Sequence, residues 1–260
     1  MSAEKKNPIF WFNNDEPEMQ EAYRQARSTF RFFWRELSWE YRRIIPALDL
    51  ACVKTAFADR PLEECDSSDP VEQMWLGEVG FDGRIVSGKL LNQPNHLKSV
   101  KQGDACAFEF GLLTDWMYAI SSRVYGAYTV NLMRSRMNPA ERQAHDGAWG
   151  MDFGDPGKIL LTSDGPGDEL ATEAEHPMSV NMKPSLIEHL QKNPDIINQP
   201  DDRGWTLLHH ESLAGNALVV EVLLNHGADH SLQTNDGDLA IDLAQLMGWN
   251  RIVSLLESHK

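Results

Sequence analysis

Across the last quarter of the chain the same residue types return at one spacing. Gly204 and Gly237, Gly215 and Gly248, Val219 and Ile252, and Leu223 and Leu256 each stand 33 residues apart. A unit of that length cannot bury its apolar side alone, so the spacing implies a quasi-linear stack in which each unit leans on the next. An earlier segment joins the series, because Ser185-Leu186-Ile187-Glu188-His189-Leu190 aligns with Leu218-Val219-Val220-Glu221-Val222-Leu223 at the same offset. The array is then about two and a half units long, fewer than the three or so a free stack needs. Something else in the chain must cover its N-terminal end.

The residues in register are Asp202, Gly204, Thr206, Leu208, His209, Gly215, Val219, Val220, Leu223, Leu224, Gly227, Ala228 and Asp229. In this order they resemble the ankyrin repeat, with its turn, two helices and loop. The resemblance implies an all-α stack over residues 181–260 that binds proteins rather than catalysing, with turn tips and inner helices turned to the partner. On this chain that surface comprises Asp201, Asp202, Arg203, Trp205, His210, Asp236 and Asp238. Trp205, ringed by acids, suits an anchor for a basic pocket; its other reading is packing against the preceding half unit. His209 fills the turn position where an imidazole bridges backbone groups, a structural role.

Charge separates the halves of the chain. The formal net charge is −15, and residues 151–260 hold 6 Lys and Arg against 18 Asp and Glu, while residues 1–150 hold 18 against 21. An acidic surface repels phosphate backbones and draws cationic protein patches at low salt, which points to a protein with a basic surface and away from nucleic acid. The same acidity also serves solubility alone. No run nears the roughly 18 apolar residues of a membrane span, and the opening MSAEKKNPIFWFNNDEPE lacks a secretory pattern, so a cytoplasmic protein is expected. Cys52, Cys65 and Cys106 are odd in number and far apart, as reduced thiols are.

The chain carries no Gly-rich phosphate loop, nucleophile elbow or zinc-ligand spacing, so neither cofactor nor metal is expected. His209-His210-Glu211 cannot converge on one ion, since adjacent side chains on a helix point about 100° apart. His226 and His230 read as a solvated loop pair.

The first 150 residues have a different texture. From Asp15 to about Ile45 apolar residues recur at three- and four-residue steps, predicting one long helix, with Asp15, Pro17 and Glu18 as its start signal and Pro46 as its stop. Arg24, Arg27, Arg31, Arg35 and Arg42 line one flank of it. This rail is either a solvated edge or a docking edge, for an anion such as RNA or for the acidic half of the same chain. Short β-like runs follow at Leu48–Phe57, Gln73–Phe81, Arg84–Leu91, Ala105–Leu113 and Trp116–Ile120, with Asp82-Gly83 and Gly103-Asp104 as turns. A last strand at Ala127–Leu132 is expected to pass into a helix capped by Asn138 and opened by Pro139. The fold class is thus an α+β domain over residues 1–150, a long helix with a small curved antiparallel sheet. A Gly- and Pro-rich linker over 151–180 follows, pinned by a short strand at Lys158–Leu161, and then the repeats.

The elements Val53-Lys54-Thr55-Ala56-Phe57, Glu72-Gln73-Met74-Trp75-Leu76, Gly88-Lys89-Leu90-Leu91-Asn92, Gly103-Asp104 and Thr114-Asp115-Trp116-Met117-Tyr118 resemble the YegJ-like family of bacterial domains of unknown function, number twenty-three fourteen. The likeness spans roughly residues 20–150 and implies a bacterial fold grouping without a reaction. Gln73 stands where that family usually has His, so any chemistry of that His is lost here. Two functional readings follow. One is a non-enzymatic binding protein, an immunity protein that occludes a toxin with its acidic repeat surface. The alternative is an enzyme or small-ligand sensor near Glu72, Trp75 and Asp115, where apolar neighbours could raise a carboxyl pKa; Asp115 could equally be a turn residue accepting backbone N–H bonds.

Overall fold

The computed structural model describes residues 16–66, 68–162 and 174–259. Helix α1 (Pro17–Glu40) is followed by strands β1 (Leu50–Phe57), β2 (Glu72–Phe81), β3 (Ile85–Leu90), β4 (Ala105–Glu109), β5 (Leu113–Ile120) and β6 (Arg123–Gly126). The strands form one antiparallel sheet in the order β4-β3-β2-β1-β5-β6. Helices α2 (Tyr128–Ser135) and α3 (Pro139–Trp149) close the first module. The Asp15 start signal lies outside the described residues. Helix α1 ends at Glu40, six residues before Pro46, because the Glu40 carboxylate turns the chain by accepting the N–H groups of Ala47 and Leu48 at 3.0 and 3.3 Å.

The expected strand at Ala127–Leu132 is a helix instead. Its β-branched and aromatic residues favour a strand locally, but Asp115 on β5 overrides them. Its carboxylate accepts the N–H groups of Tyr128 and Thr129 at 2.9 and 2.8 Å, capping a helix start that follows Ala127 in the left-handed region. Asn138 caps α3 as expected, in a reciprocal pair with Glu141. Residues 158–161 form no strand, yet they are tied to the sheet: Leu160 accepts from Gly126 N–H and Leu161 from the Tyr118 hydroxyl.

After residue 174 the chain is helical. Helix α4 (Pro177–Lys192) precedes the pairs α5 (Leu207–Ala214) with α6 (Ala217–Asn225), and α7 (Ala240–Met247) with α8 (Asn250–Ser258). Helix α5 packs on α7, α6 on α8 and α4 on α6, giving an inner row and an outer row. Gly215 and Gly248, both at positive φ, end the two inner helices.

Helix α1 joins the two modules. Phe32, Phe33, Arg35, Glu36, Leu37, Ser38 and Trp39 are all buried, and a helix buried around its circumference is an internal one. Phe30 and Phe33 meet the sheet through Phe81 and Trp116, while Phe32 meets Trp249 of the repeats edge-on at 6.0 Å. The arginine rail is a docking edge for the C-terminal half. Arg31 donates to the Gly248 carbonyl at 2.6 Å, Arg35 to Ala174 at 2.9 Å, and Arg42 pairs with Glu211 at 2.8 Å. Arg27 reaches the Leu113 carbonyl on the sheet side, and Arg24 pairs locally with Glu21.

Candidate functional site

The turn tips of the repeats are built by local hydrogen bonding. Asp201 accepts the N–H groups of Arg203 and Trp205, both at 2.9 Å, and the Trp205 carbonyl accepts the N–H of Asp201. Burial pushes the Asp201 carboxyl up, but those two N–H bonds, with His210 and Arg203 beside it, outweigh burial and hold it below the usual range. Asn235 in the next tip binds the Asp202 carbonyl through its side chain and the Arg203 carbonyl through its N–H. Asp202, Arg203 and Asp236 are exposed.

Trp205 does not stand out as an anchor. Its indole is 4% exposed, with the Arg203 guanidinium 5.3 Å from its ring and His210 tilted against it at 5.0 Å. Packing is its role, and Arg203 and His210 are the groups that face outward there. His210 lies 3.5 Å from Asp201, and burial pushes its pKa down. Asp238 is engaged within the molecule, accepting from Arg84 at 2.8 Å. His209 bridges Thr206 and the Leu232 carbonyl, the structural role its position implies.

Arg84 belongs to the β2–β3 hairpin, and that hairpin sits on the inner row of the repeats. A Cβ on Gly83 would lie 3.2 Å from Leu243 and 3.5 Å from Leu246. Beside the hairpin runs an open groove of about 520 Å³ between the modules. Trp34, Tyr41, Arg42, Phe81 and Ile85 line it from the first module; Arg203, His210 and Leu213 line it from the second. Near it the turn after α1 presents Ile44 at 99% and Ile45 at 81% exposure. Arg43 holds this turn through Glu36 and Glu40. The sequence flags the hairpin and Arg42, but what they face becomes visible only once the modules are docked.

Glu72 and Asp115 do not form one site. Asp115 lies opposite Lys54 and Glu72 opposite Phe57 across β1. Those partners stand three positions apart on β1, an odd offset, so the two carboxylates leave opposite faces of the sheet. The intervening core is filled by Val53, Leu76 and Trp116. Glu72 accepts the N–H groups of Asn95, His96 and Leu97 and so holds a loop. Asp115 is buried with four donors: the N–H groups of Trp116, Tyr128 and Thr129 and the Thr129 hydroxyl. Burial pushes its carboxyl up while Lys54 and those donors oppose the rise. A carboxylate so occupied is a fold element with no free lone pair aimed at a substrate. Gln73 accepts from the Thr114 hydroxyl at 2.8 Å. Among the described residues no group of three or more His, Cys, Asp or Glu could hold a metal ion, and no described helix is long and apolar enough to cross a membrane.

Known proteins match both modules. A protein of Neisseria meningitidis serogroup B that bears an ankyrin-repeat name is 42% identical over 243 residues, covering 94% of each chain. The uncharacterized protein YegJ of Escherichia coli K12 is 28% identical over 60 residues, 23% of this chain and 39% of that one. Among solved structures, a predatory endopeptidase of Bdellovibrio bacteriovorus in complex with an immunity protein matches at 22% identity. Its TM-score is 0.29, with 46% of this chain and 58% of that chain covered, an overlap too small to carry an argument. The model of the bacterial family DUF2314, uncharacterized protein conserved in bacteria, matches residues 16–153, and the chain belongs to that family, with ankyrin repeats after the family's domain.

Proposed function

We propose that this chain is a non-enzymatic protein-binding protein of the immunity type, which neutralises a toxin in the cytoplasm by direct binding. The observation that carries this reading is the groove between the modules. It is open, part apolar and part charged, and shaped by both modules at once. Interfaces of this kind combine aromatic and Arg anchors with a polar rim. Tyr41 and Ile85 supply the apolar part and Arg203 and His210 the charged part; Ile44 and Ile45 extend the apolar surface on the turn after Tyr41, and the exposed Asp201, Asp202 and Asp236 of the turn tips extend the rim. Asp238 supports this rim through Arg84, and Trp205 supports it from beneath. The acidity of the C-terminal half speeds encounter with a basic partner.

The test is to mix purified protein with the products of adjacent genes and follow complex formation by size-exclusion chromatography at about 0.05 and 0.5 M ionic strength. A tight complex that weakens with salt, and that Asp202→Lys with Asp236→Lys slows in association, is the expected result. Failure of every neighbouring product to bind would overturn the proposal.

A further inference from the structure

Among the described residues the repeat array shows one inner helix fewer than outer helices. In the complete units each outer helix has an inner helix before it in the chain: α5 precedes α6 and α7 precedes α8. Helix α4 packs on α6 as α6 packs on α8, so it occupies the outer row, yet among the described residues no inner helix precedes it. The position such a helix would take lies between α4 and α5. A second groove, of about 380 Å³, opens there. Met178, Met182 and Leu186 of α4 form one wall, at helical spacing of four residues; Trp39 of α1 and Arg42 of the turn after it form the other, with Glu211 and Val219 also lining the groove.

Three observations mark this groove as a slot awaiting an occupant. First, α4 is under-packed: of its sixteen residues only Ser179 and Leu190 are buried, and Val180 and Met182 are 54% and 45% exposed. The other end of the array is finished differently, since the outward residues of α8 are Asn250, Arg251, Ser254 and Glu257, the polar face expected of a capping unit. Second, the module around the slot is anionic. Residues 174–259 hold four Lys and Arg against twelve Asp and Glu, and two of those cations are already paired, Arg251 with Glu175 and Lys192 with Glu188. Third, Arg42 borders both grooves, so the slot continues the interdomain groove.

We infer that the slot receives an amphipathic, basic-flanked α-helix contributed by the partner protein, which completes the first unit of the array. Helix-in-groove recognition places apolar residues at i, i+3, i+4 and i+7 against such a wall, and methionines adapt to an incoming surface. The inference rests on the protein-binding reading and names the shape of what is bound.

It is tested without a natural partner. Three fluorescein-labelled synthetic 16-residue helical peptides are titrated by fluorescence anisotropy against the full chain. One has leucines at i, i+3, i+4, i+7 with lysines on its flanks, one has glutamates for the lysines, and one is a scrambled basic sequence. The basic amphipathic peptide is expected to bind at least tenfold more tightly than the other two. Met182→Glu, a substitution at an exposed position, is expected to weaken it at least tenfold without moving the melting temperature, while Arg203→Glu in the other groove leaves it unchanged. Equal binding of the amphipathic and scrambled peptides, or indifference to Met182→Glu, would overturn the inference. Sedimentation velocity adds a further check: a dimer of this chain that Met182→Glu dissociates would give the slot to a second copy and overturn it as well. Failure of every neighbouring-gene product to bind, by contrast, removes the immunity reading and leaves the peptide result standing.

Discussion

Phe32 and Phe33 are adjacent on α1 but face different worlds. Phe33 turns to the sheet, where Trp116 lies against Gly126 and donates its indole N–H to the Ala26 carbonyl at 2.8 Å. Phe32 turns to the repeats, where Trp249 lies against Gly215 and donates to the Leu213 carbonyl at 3.2 Å. Both glycines are at positive φ, and a Cβ on either would stand within 2.5 Å of a Trp atom. The two seams therefore share a device, a tryptophan seated on a glycine, but their surroundings differ. The sheet seam is mainly aromatic. The repeat seam is lined by guanidinium groups, with Arg31 and Arg35 at 5.1 and 5.2 Å from the Trp249 ring and Arg42 over Trp39. Apolar packing gives bulk stability, whereas hydrogen-bonded charge fixes one docking geometry among many.

That contrast can be broken in order of expected effect. Trp116→Ala should cost about 3–5 kcal/mol of unfolding free energy, measured by urea denaturation. A loss under about 1 kcal/mol would mean that the sheet seam is not the stabilising one. Arg42→Ala comes next. Glu211 is buried and also accepts from Asn216, which in turn accepts from Trp39, so removing its cation should cost about 1–3 kcal/mol. Glu211→Gln in the same chain should restore part of that, and a double-mutant cycle checks the coupling.

A smaller effect is expected from pH. Burial pushes the Glu36 carboxyl up, but the hydrogen bond and charge of His176, with Arg43 on its other side, outweigh burial and hold it below the usual carboxylate range. A carboxyl lowered by folding contributes stability that is fully present above its ordinary value of about 4.3 and is lost as pH falls through the folded value. The repeat seam should therefore loosen in acid, and Glu36→Gln should flatten the fall of melting temperature with decreasing pH. The smallest effect belongs to Arg24→Ala at the solvent-exposed pair with Glu21, which should leave the melting temperature unchanged.

Much of this arrangement was legible in the residues. The 33-residue spacing predicts the two helix pairs, and the apolar steps predict α1. The five main strands, the Asn138 cap and the need for a buttress against the short array could also be read. What stayed hidden depends on contacts distant in sequence. Residues 127–132 read as a strand because the cap that makes them a helix, Asp115, lies 13 residues upstream of Tyr128. Trp205 keeps two readings until Arg203 and His210 are seen to cover it. The rail keeps two readings until Gly248, Ala174 and Glu211 are seen to meet it. The groove was the least legible, since no single module contains it.

The hydrogen bond from Arg31 to Gly248 spans 217 residues of chain, and this has a consequence for biosynthesis. Helix α1 is translated long before the surface that shields its second flank. At about 5–20 residues per second that flank waits roughly 10–40 s for its cover. Arginines suit such a wait better than leucines would: they stay hydrated and deter premature aggregation until the repeats arrive to be clasped.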